Sequence, residues 1–188
     1  CLNIEQLPSG RGDGLPVSSL VDVQDGAHII FCVSGSEQTR FLVCSDAGYG
    51  FLSTLSNMVT NRRSGREFMS LGLGEKMLAP VKVEEGASNY VATISSKSRL
   101  LIFSINELKT MVKGRGTILM GLHEGETLVA SAVISNLKLT VSGVGIRSKK
   151  NKEISFKGDK LSHFLGRRAR MGRTLPQKLK SVVKLVEN

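Results

Sequence analysis

The sequence predicts an all-β protein assembled from propeller-like blades of about 50 residues each. Three observations lead there. The apolar runs are short and lack the 3.6-residue stripe of helices; a hairpin-like unit recurs at a fixed offset; and a basic, glycine-containing word closes each copy. The segment "FLVCSDAGYGFLSTLSNM" from Phe41 lies without gaps on "VATISSKSRLLIFSINEL" from Val91, at an offset of 50 residues. Under that offset Val43 meets Thr93, Cys44 meets Ile94, Phe51 meets Leu101, Leu52 meets Ile102, Leu55 meets Ile105 and Met58 meets Leu108.

Each unit reads as strand, tight turn, strand and short helical turn. "SDAG" and "SSKS" carry the small, Asp and Gly residues that turns use. After the second strands, "SNM" and "INELKTM" place Ser or Asn near a short apolar turn, as a capped helical turn does. The closing words follow: "NRRSGRE" from Asn61 and "KGRGT" from Lys113. A third unit runs from "LKLTVSGVG" through "ISFKGDKLSHFLG" into "RRARMGR" at 167–173, with "IRSKKNKE" (146–153) as a lysine-rich hairpin tip. "SGRGDG" from Ser9 closes a unit whose strands are missing. Further strands are expected at "AHIIFCVS", "MLAPVKVEEG" and "TLVASAVIS", each preceding a hairpin.

The expected organisation is one domain over 1–188: a blade remnant at 1–24, blades at 25–76, 77–127 and 128–174, and a tail at 175–188. In the tail, Leu175, Leu179, Val182, Val183 and Val186 have helix-like spacing; a segment docked on the last blade is favoured over a basic membrane-surface helix. No apolar run approaches the roughly 18 residues that span a bilayer, so a soluble protein is expected. "LNIEQLP" after Cys1 has neither a basic nor an apolar region of a signal peptide, and the missing initial Met suggests a fragment. Cys1, Cys32 and Cys44 have no metal or redox spacing. Cys32 and Cys44 lie in apolar runs, read as core, and a reducing cytoplasm fits.

The net charge of +10 is unevenly spread. Residues 1–94 hold seven Lys/Arg against ten Asp/Glu, and residues 95–188 hold nineteen against six. Between Arg147 and Lys184, thirteen basic residues face only Glu153 and Asp159. Such a distribution is the footprint of a polyanion ligand. Guanidinium forks and lysine charges neutralise phosphates and release counterions, with little sequence preference. The adjacent glycines permit φ > 0 and allow backbone N–H groups to approach a phosphate.

The order "LVCSDAGYGF", "NRRSGRE", "KGRGT" and "RRARMGRTL" resembles the C-terminal domain of the topoisomerase IV A-subunit of Gram-negative bacteria, over essentially all 188 residues. The related domain of the gyrase A-subunit carries a QRRGGKG-type box used to wrap DNA. "NRRSGRE" is the nearest word here, so the resemblance favours topoisomerase IV and not strong wrapping. It implies a β-pinwheel, a propeller-like ring whose blades exchange strands, here an open arc, with duplex DNA along its rim. The implied DNA-binding residues are Arg62, Arg63, Arg66, Lys113, Arg115, Arg147, Lys149, Lys150, Lys152, Arg167, Arg168, Arg170 and Arg173. Arg11 is neutralised by Asp13 and is left out.

For a longer parent polypeptide, the resemblance implies an upstream catalytic part with the cleavage tyrosine, dimerisation through that part, an ATPase partner (the B-subunit), and ATP with magnesium as cofactors. The chain itself is expected to be neither an enzyme nor a cofactor protein. His28, His123 and His163 are dispersed, Tyr49 lacks a cleavage setting, and "GLGEK" lacks the spacing of a phosphate loop. Two other classes compete: a propeller-type protein-interaction module, and an RNA binder, against which the scarcity of aromatics at the basic loops argues.

Overall fold

The computed structural model describes every residue except 1, 3–4, 6, 9, 85, 87–89, 146–149, 177–178 and 188. Three antiparallel sheets account for the architecture. The first contains β1 (Arg40–Cys44), β2 (Tyr49–Thr54), β3 (Val81–Val83) and β6 (Thr117–Ile118), in the order β3-β1-β2-β6. The second contains β4 (Tyr90–Ser95), β5 (Arg99–Ser104), β7 (Leu128–Ile134) and β10 (Arg173–Thr174), in the order β10-β5-β4-β7. The third is β11-β8-β9, from β8 (Lys138–Gly145), β9 (Asn151–Lys157) and β11 (Leu179–Glu187). Helical turns α1 (Leu55–Met58) and α2 (Asp159–Ser162) follow β2 and β9, and a 3-10 turn at Ile105–Glu107 follows β5. Ser104 caps that turn by accepting the Asn106 N–H.

The hairpins sit where the offset places them. Leu42 pairs with Leu52 and Ala92 with Ile102, so the same register recurs 50 residues on. Their apolar runs are continuous because the first and second sheets are buried on both faces. Along β1, Leu42 and Cys44 enter a cluster with Val91, Leu101 and Phe103 of the second sheet, while Phe41 and Val43 point to the opposite face with Phe51 and Met69. Along β4, Ala92 and Ile94 turn to Leu139, Val141 and Phe156 of the third sheet. The third sheet ends the stack with a polar outer face, where Thr140 bonds Ser155 at 2.7 Å.

Strand exchange is the main departure from a simple series of blades. β3 and β7 precede hairpins in sequence, as expected, but each pairs with the hairpin before it: β3 with β1 and β7 with β4. β6 and β10 cross back to the second strands β2 and β5. "AHIIFCVS" forms no strand, and Ile29, Ile30 and Phe31 are exposed. The reason lies in the exchange, since among the described residues no hairpin precedes this segment to offer it a ladder. Cys32 is exposed with it, contrary to the core reading, whereas Cys44 is fully buried and burial pushes its thiol up to about 11, despite the Ser131 hydrogen bond. The tail docks on the last hairpin, as expected, but as a strand and not a helix: β11 pairs with β8, with irregularities between Leu179 and Ser181 and between Val182 and Lys184 that give it a misleading periodicity. Among the described residues no helix is long and apolar enough to cross a membrane.

One buried ion pair fastens the second hairpin. Arg99, at the start of β5, bonds Glu126 through Nε (2.9 Å) and Nη2, and Glu126 also accepts the His123 N–H at 3.1 Å. Burial pushes the Glu126 carboxyl up, but the bonds from Arg99, Ser95 and His123 outweigh it and hold the group at about 2. Its contribution is therefore present above the ordinary carboxylate range and is lost as pH falls from about 4.5 towards 2. Replacing Glu126 with Ala strands Arg99 in the interior and should cost about 3–5 kcal/mol in urea denaturation at neutral pH. The difference from wild type should shrink below pH 4, and a constant difference across that range contradicts the assignment.

Candidate nucleic-acid interface

The second and third basic words are loops pinned at both ends to the outer edge of a preceding hairpin. Leu52 donates its N–H to the Lys109 carbonyl (3.0 Å) and accepts the Met111 N–H (2.8 Å); beyond the loop, Leu119 donates to the Gly48 carbonyl at 2.7 Å. The next loop repeats the pattern. Ile102 bonds Phe164 (2.9 Å) and Gly166 (2.8 Å), and Leu175 donates to the Ser98 carbonyl at 2.9 Å. Between these pins the chain bulges out through 113–116 in one case and 167–172 in the other.

The last glycine of the second and third words is required by this attachment. Gly116 has φ +84° and a Cβ there would collide with the Gly50 carbonyl oxygen; Gly172 has φ +68° and its Cβ would lie 2.7 Å from that of Leu100. These two glycines therefore permit a strand to turn back against its neighbour. Gly65, at φ +74°, has open space around it and closes a turn with the Arg62 carbonyl at 3.0 Å.

Successive loops are also joined to one another. Past the first loop, Phe68 and Ser70 exchange backbone bonds with Gly114 of the second, at 3.0 and 3.1 Å. Past the second loop, Leu119 and Gly121 exchange bonds with Ala169 and Arg170 of the third, at 3.0 and 2.9 Å. A chain of backbone contacts thus runs through 61–70, 113–121 and 167–175. It brings all three words together, which their spacing alone leaves open.

The thirteen expected site residues divide into distinct groups. Arg62, Arg66, Lys113, Arg167 and Arg170 are exposed and make no ion pair with a described residue. Arg63 donates to the Ser19 carbonyl at 2.8 Å and lies 3.8 Å from the Asp22 carboxylate, tying the segment around the 3-10 turn Val17–Ser19 to the first loop. Arg115 pairs with Glu75 and covers the Tyr49 ring at 4.3 Å. Arg168 donates to the Ile118 carbonyl at 2.5 Å and its own N–H is accepted by Glu107 at 3.0 Å. Arg173 donates to the His163 carbonyl at 2.6 Å and sits 2.9 Å from its Nδ1. Lys150 and Lys152 are exposed, at the β8–β9 turn and on β9. Arg147 and Lys149 lie outside the described residues.

The partners Glu75, Glu107, Asp22 and Tyr49 are what sequence reading missed. They stand 40 or more residues from the arginines they hold, so no local spacing announces them. Among the described residues, no group of three His, Cys, Asp or Glu side chains could hold a metal ion.

Three interlinked sheets with exchanged strands and a run of basic loops define a β-pinwheel. Residues 89–135 match the family model of the DNA gyrase C-terminal domain, beta-propeller. The A-subunit of DNA topoisomerase 4 from Neisseria gonorrhoeae is 35% identical over 183 residues, 93% of this chain and 23% of that protein. The Pseudomonas aeruginosa counterpart is 28% identical, over 98% of this chain and 25% of its own length. The structure of the E. coli ParC C-terminal domain superposes with a TM-score of 0.83 at 24% identity, covering 97% of this chain and 74% of that one. That of the DNA gyrase A C-terminal domain gives 0.70 at 16% identity, covering 93% and 58%. The chain belongs to the family of topoisomerase IV A-subunits, as a C-terminal domain, and spans about a quarter of the length of these curated relatives.

The attachment geometry makes a stability prediction. Gly172→Ala should lower the melting temperature markedly, since the left-handed backbone costs about 1–2 kcal/mol and the contact with Leu100 adds to it. Gly65→Ala should show only the backbone cost, and equal melting shifts contradict the pinned-loop geometry.

Proposed function

We propose that the chain binds duplex DNA without sequence specificity along the joined basic loops, and through this sets which DNA crossings its parent topoisomerase IV acts upon. The observation that carries the reading is the backbone-linked series of loops bearing Arg62, Arg66, Lys113, Arg167 and Arg170 unpaired and exposed. Cations fixed on a hydrogen-bonded scaffold can follow a phosphate backbone with little ordering cost. Lys150 at the β8–β9 turn and Lys152 on β9 add a second basic point.

In this reading the domain is not catalytic. It captures DNA electrostatically, raises its local concentration at the cleavage part of the same polypeptide, and favours crossings in which a duplex bends along the loops. The catalytic tyrosine, the dimer contacts, the ATPase partner (the B-subunit), and the requirement for ATP and magnesium belong to the rest of the parent enzyme, working in the bacterial cytoplasm on relaxation and decatenation. Membership of the topoisomerase IV family supports this assignment.

Five neutralised phosphates give a slope of about −4.5 for log K against log salt on duplex DNA. Replacing Arg62, Arg66, Arg167 and Arg170 with Ala should weaken binding by about 100-fold or more at about 0.1 M salt while leaving the melting temperature near wild type. Replacing the anchored Arg63, Arg168 and Arg173 should lower the melting temperature instead. Salt-independent binding, or equal affinity losses in the two sets, contradicts the proposal.

A further inference from the structure

We infer that Glu75 attenuates DNA binding by occupying Arg115, so that the second loop offers a single free cation where the first and third offer two. The inference rests on the DNA-binding reading above and names a residue that tunes it.

Arg115 lies at the centre of its loop, between Gly114 and Gly116, two residues after the unpaired Lys113. By position it should be the strongest phosphate contact of that loop, as an arginine fork exceeds a lysine charge in bidentate recognition. The geometry withholds it. Glu75 Oε1 takes the Arg115 Nη2, while the face of the guanidinium rests on the Tyr49 ring at 4.3 Å. Glu75 is itself held in place: its Oε2 accepts the Gly72 N–H at 2.9 Å, its own N–H donates to the Gly72 carbonyl at 3.1 Å, and its side chain is 12% exposed. The carboxylate is thus presented by a closed turn and does not swing freely.

The Arg115 side chain remains 45% exposed, so the pair lies at the surface where a phosphate can reach it. An ion pair in that position adds little to folding stability. Its larger effect is on the ligand, because a phosphate approaching Arg115 meets the Glu75 charge and must compete with it for the same donors. Glu107 does not act this way: it accepts the backbone N–H of Arg168 and leaves that guanidinium to the Ile118 carbonyl. Holding back one cation keeps affinity below the maximum the loops could reach, which suits a domain that must release DNA in each cycle.

The experiment compares wild type, Glu75→Gln, Arg115→Ala and the double variant by fluorescence anisotropy on a 30-base-pair duplex across a salt series. Glu75→Gln preserves the acceptor for Gly72 and frees Arg115. It should tighten binding about three- to tenfold at about 0.1 M salt and steepen the salt slope by about 0.9, one extra phosphate. Arg115→Ala alone should change affinity by less than about twofold, and in its presence Glu75→Gln should lose most of its gain. Melting temperatures of all four proteins provide the folding check, and Glu75→Ala, which should move affinity in the same direction, provides a second variant. An equal gain with and without Arg115 reduces the effect to net charge and overturns the inference, as does no gain. A loss on Arg115→Ala as large as on Arg167→Ala overturns it too. If none of the proteins binds duplex DNA, the DNA reading itself fails and the attenuator falls with it.

Discussion

The backbone hydrogen bonds by which the second and third basic loops return to the preceding hairpins are the constraint on which the rest depends. A second strand such as β2 or β5 has one edge taken by its hairpin partner and would otherwise leave its other edge open, a costly arrangement for a buried sheet. The returning chain closes that edge twice, before the loop and after it, at Leu52 and Gly48 and again at Ile102 and Ser98. The same bonds settle where strands β6 and β10 lie, why Gly116 and Gly172 carry no side chain, and why the basic residues bulge away from the sheet. β9 shows the contrast: no strand lies along its outer edge among the described residues, and that edge is rich in lysine. Lysines there oppose edge-to-edge association.

Two populations of cations follow from this scaffold. Arg63, Arg168 and Arg173 spend their donors on carbonyl groups of other elements, and so stiffen the loops that carry them. Arg62, Arg66, Lys113, Arg167 and Arg170 remain exposed and outside any ion pair with a described residue, and the DNA-binding proposal rests on them. Arg115 stands between the two, poised by Tyr49 and Glu75. Charge density alone therefore overstates the number of free cations, because part of the arginine content is architectural.

Much of the fold could be read from the chain because hairpins are local. The 50-residue offset, the turns "SDAG" and "SSKS", and both hairpin registers depend on residues close in sequence, and they recur as read. Contacts between repeats were not legible. β6 reaches back over 60 residues to β2, and the fate of 27–34 depends on a ladder that only an exchange of strands would supply. The docking of the tail was legible but its form was not: two irregularities in β11 break the alternation of its apolar residues into something like a helical spacing. At the interface, the basic words themselves stood out, but Glu75, Glu107 and Asp22 carry no signal until folding brings them to their arginines.

The central claim is that three loops, far apart in sequence, form one DNA-facing surface because backbone bonds join them. Hydrogen exchange of backbone amides, with and without a 30-base-pair duplex, tests this most directly. The account predicts that DNA slows exchange in 61–67, 113–116 and 167–173 together, over the same range of DNA concentration, while the exposed segment 27–34 is unaffected. Protection confined to one loop, or centred on 27–34 and absent from the loops, would contradict it.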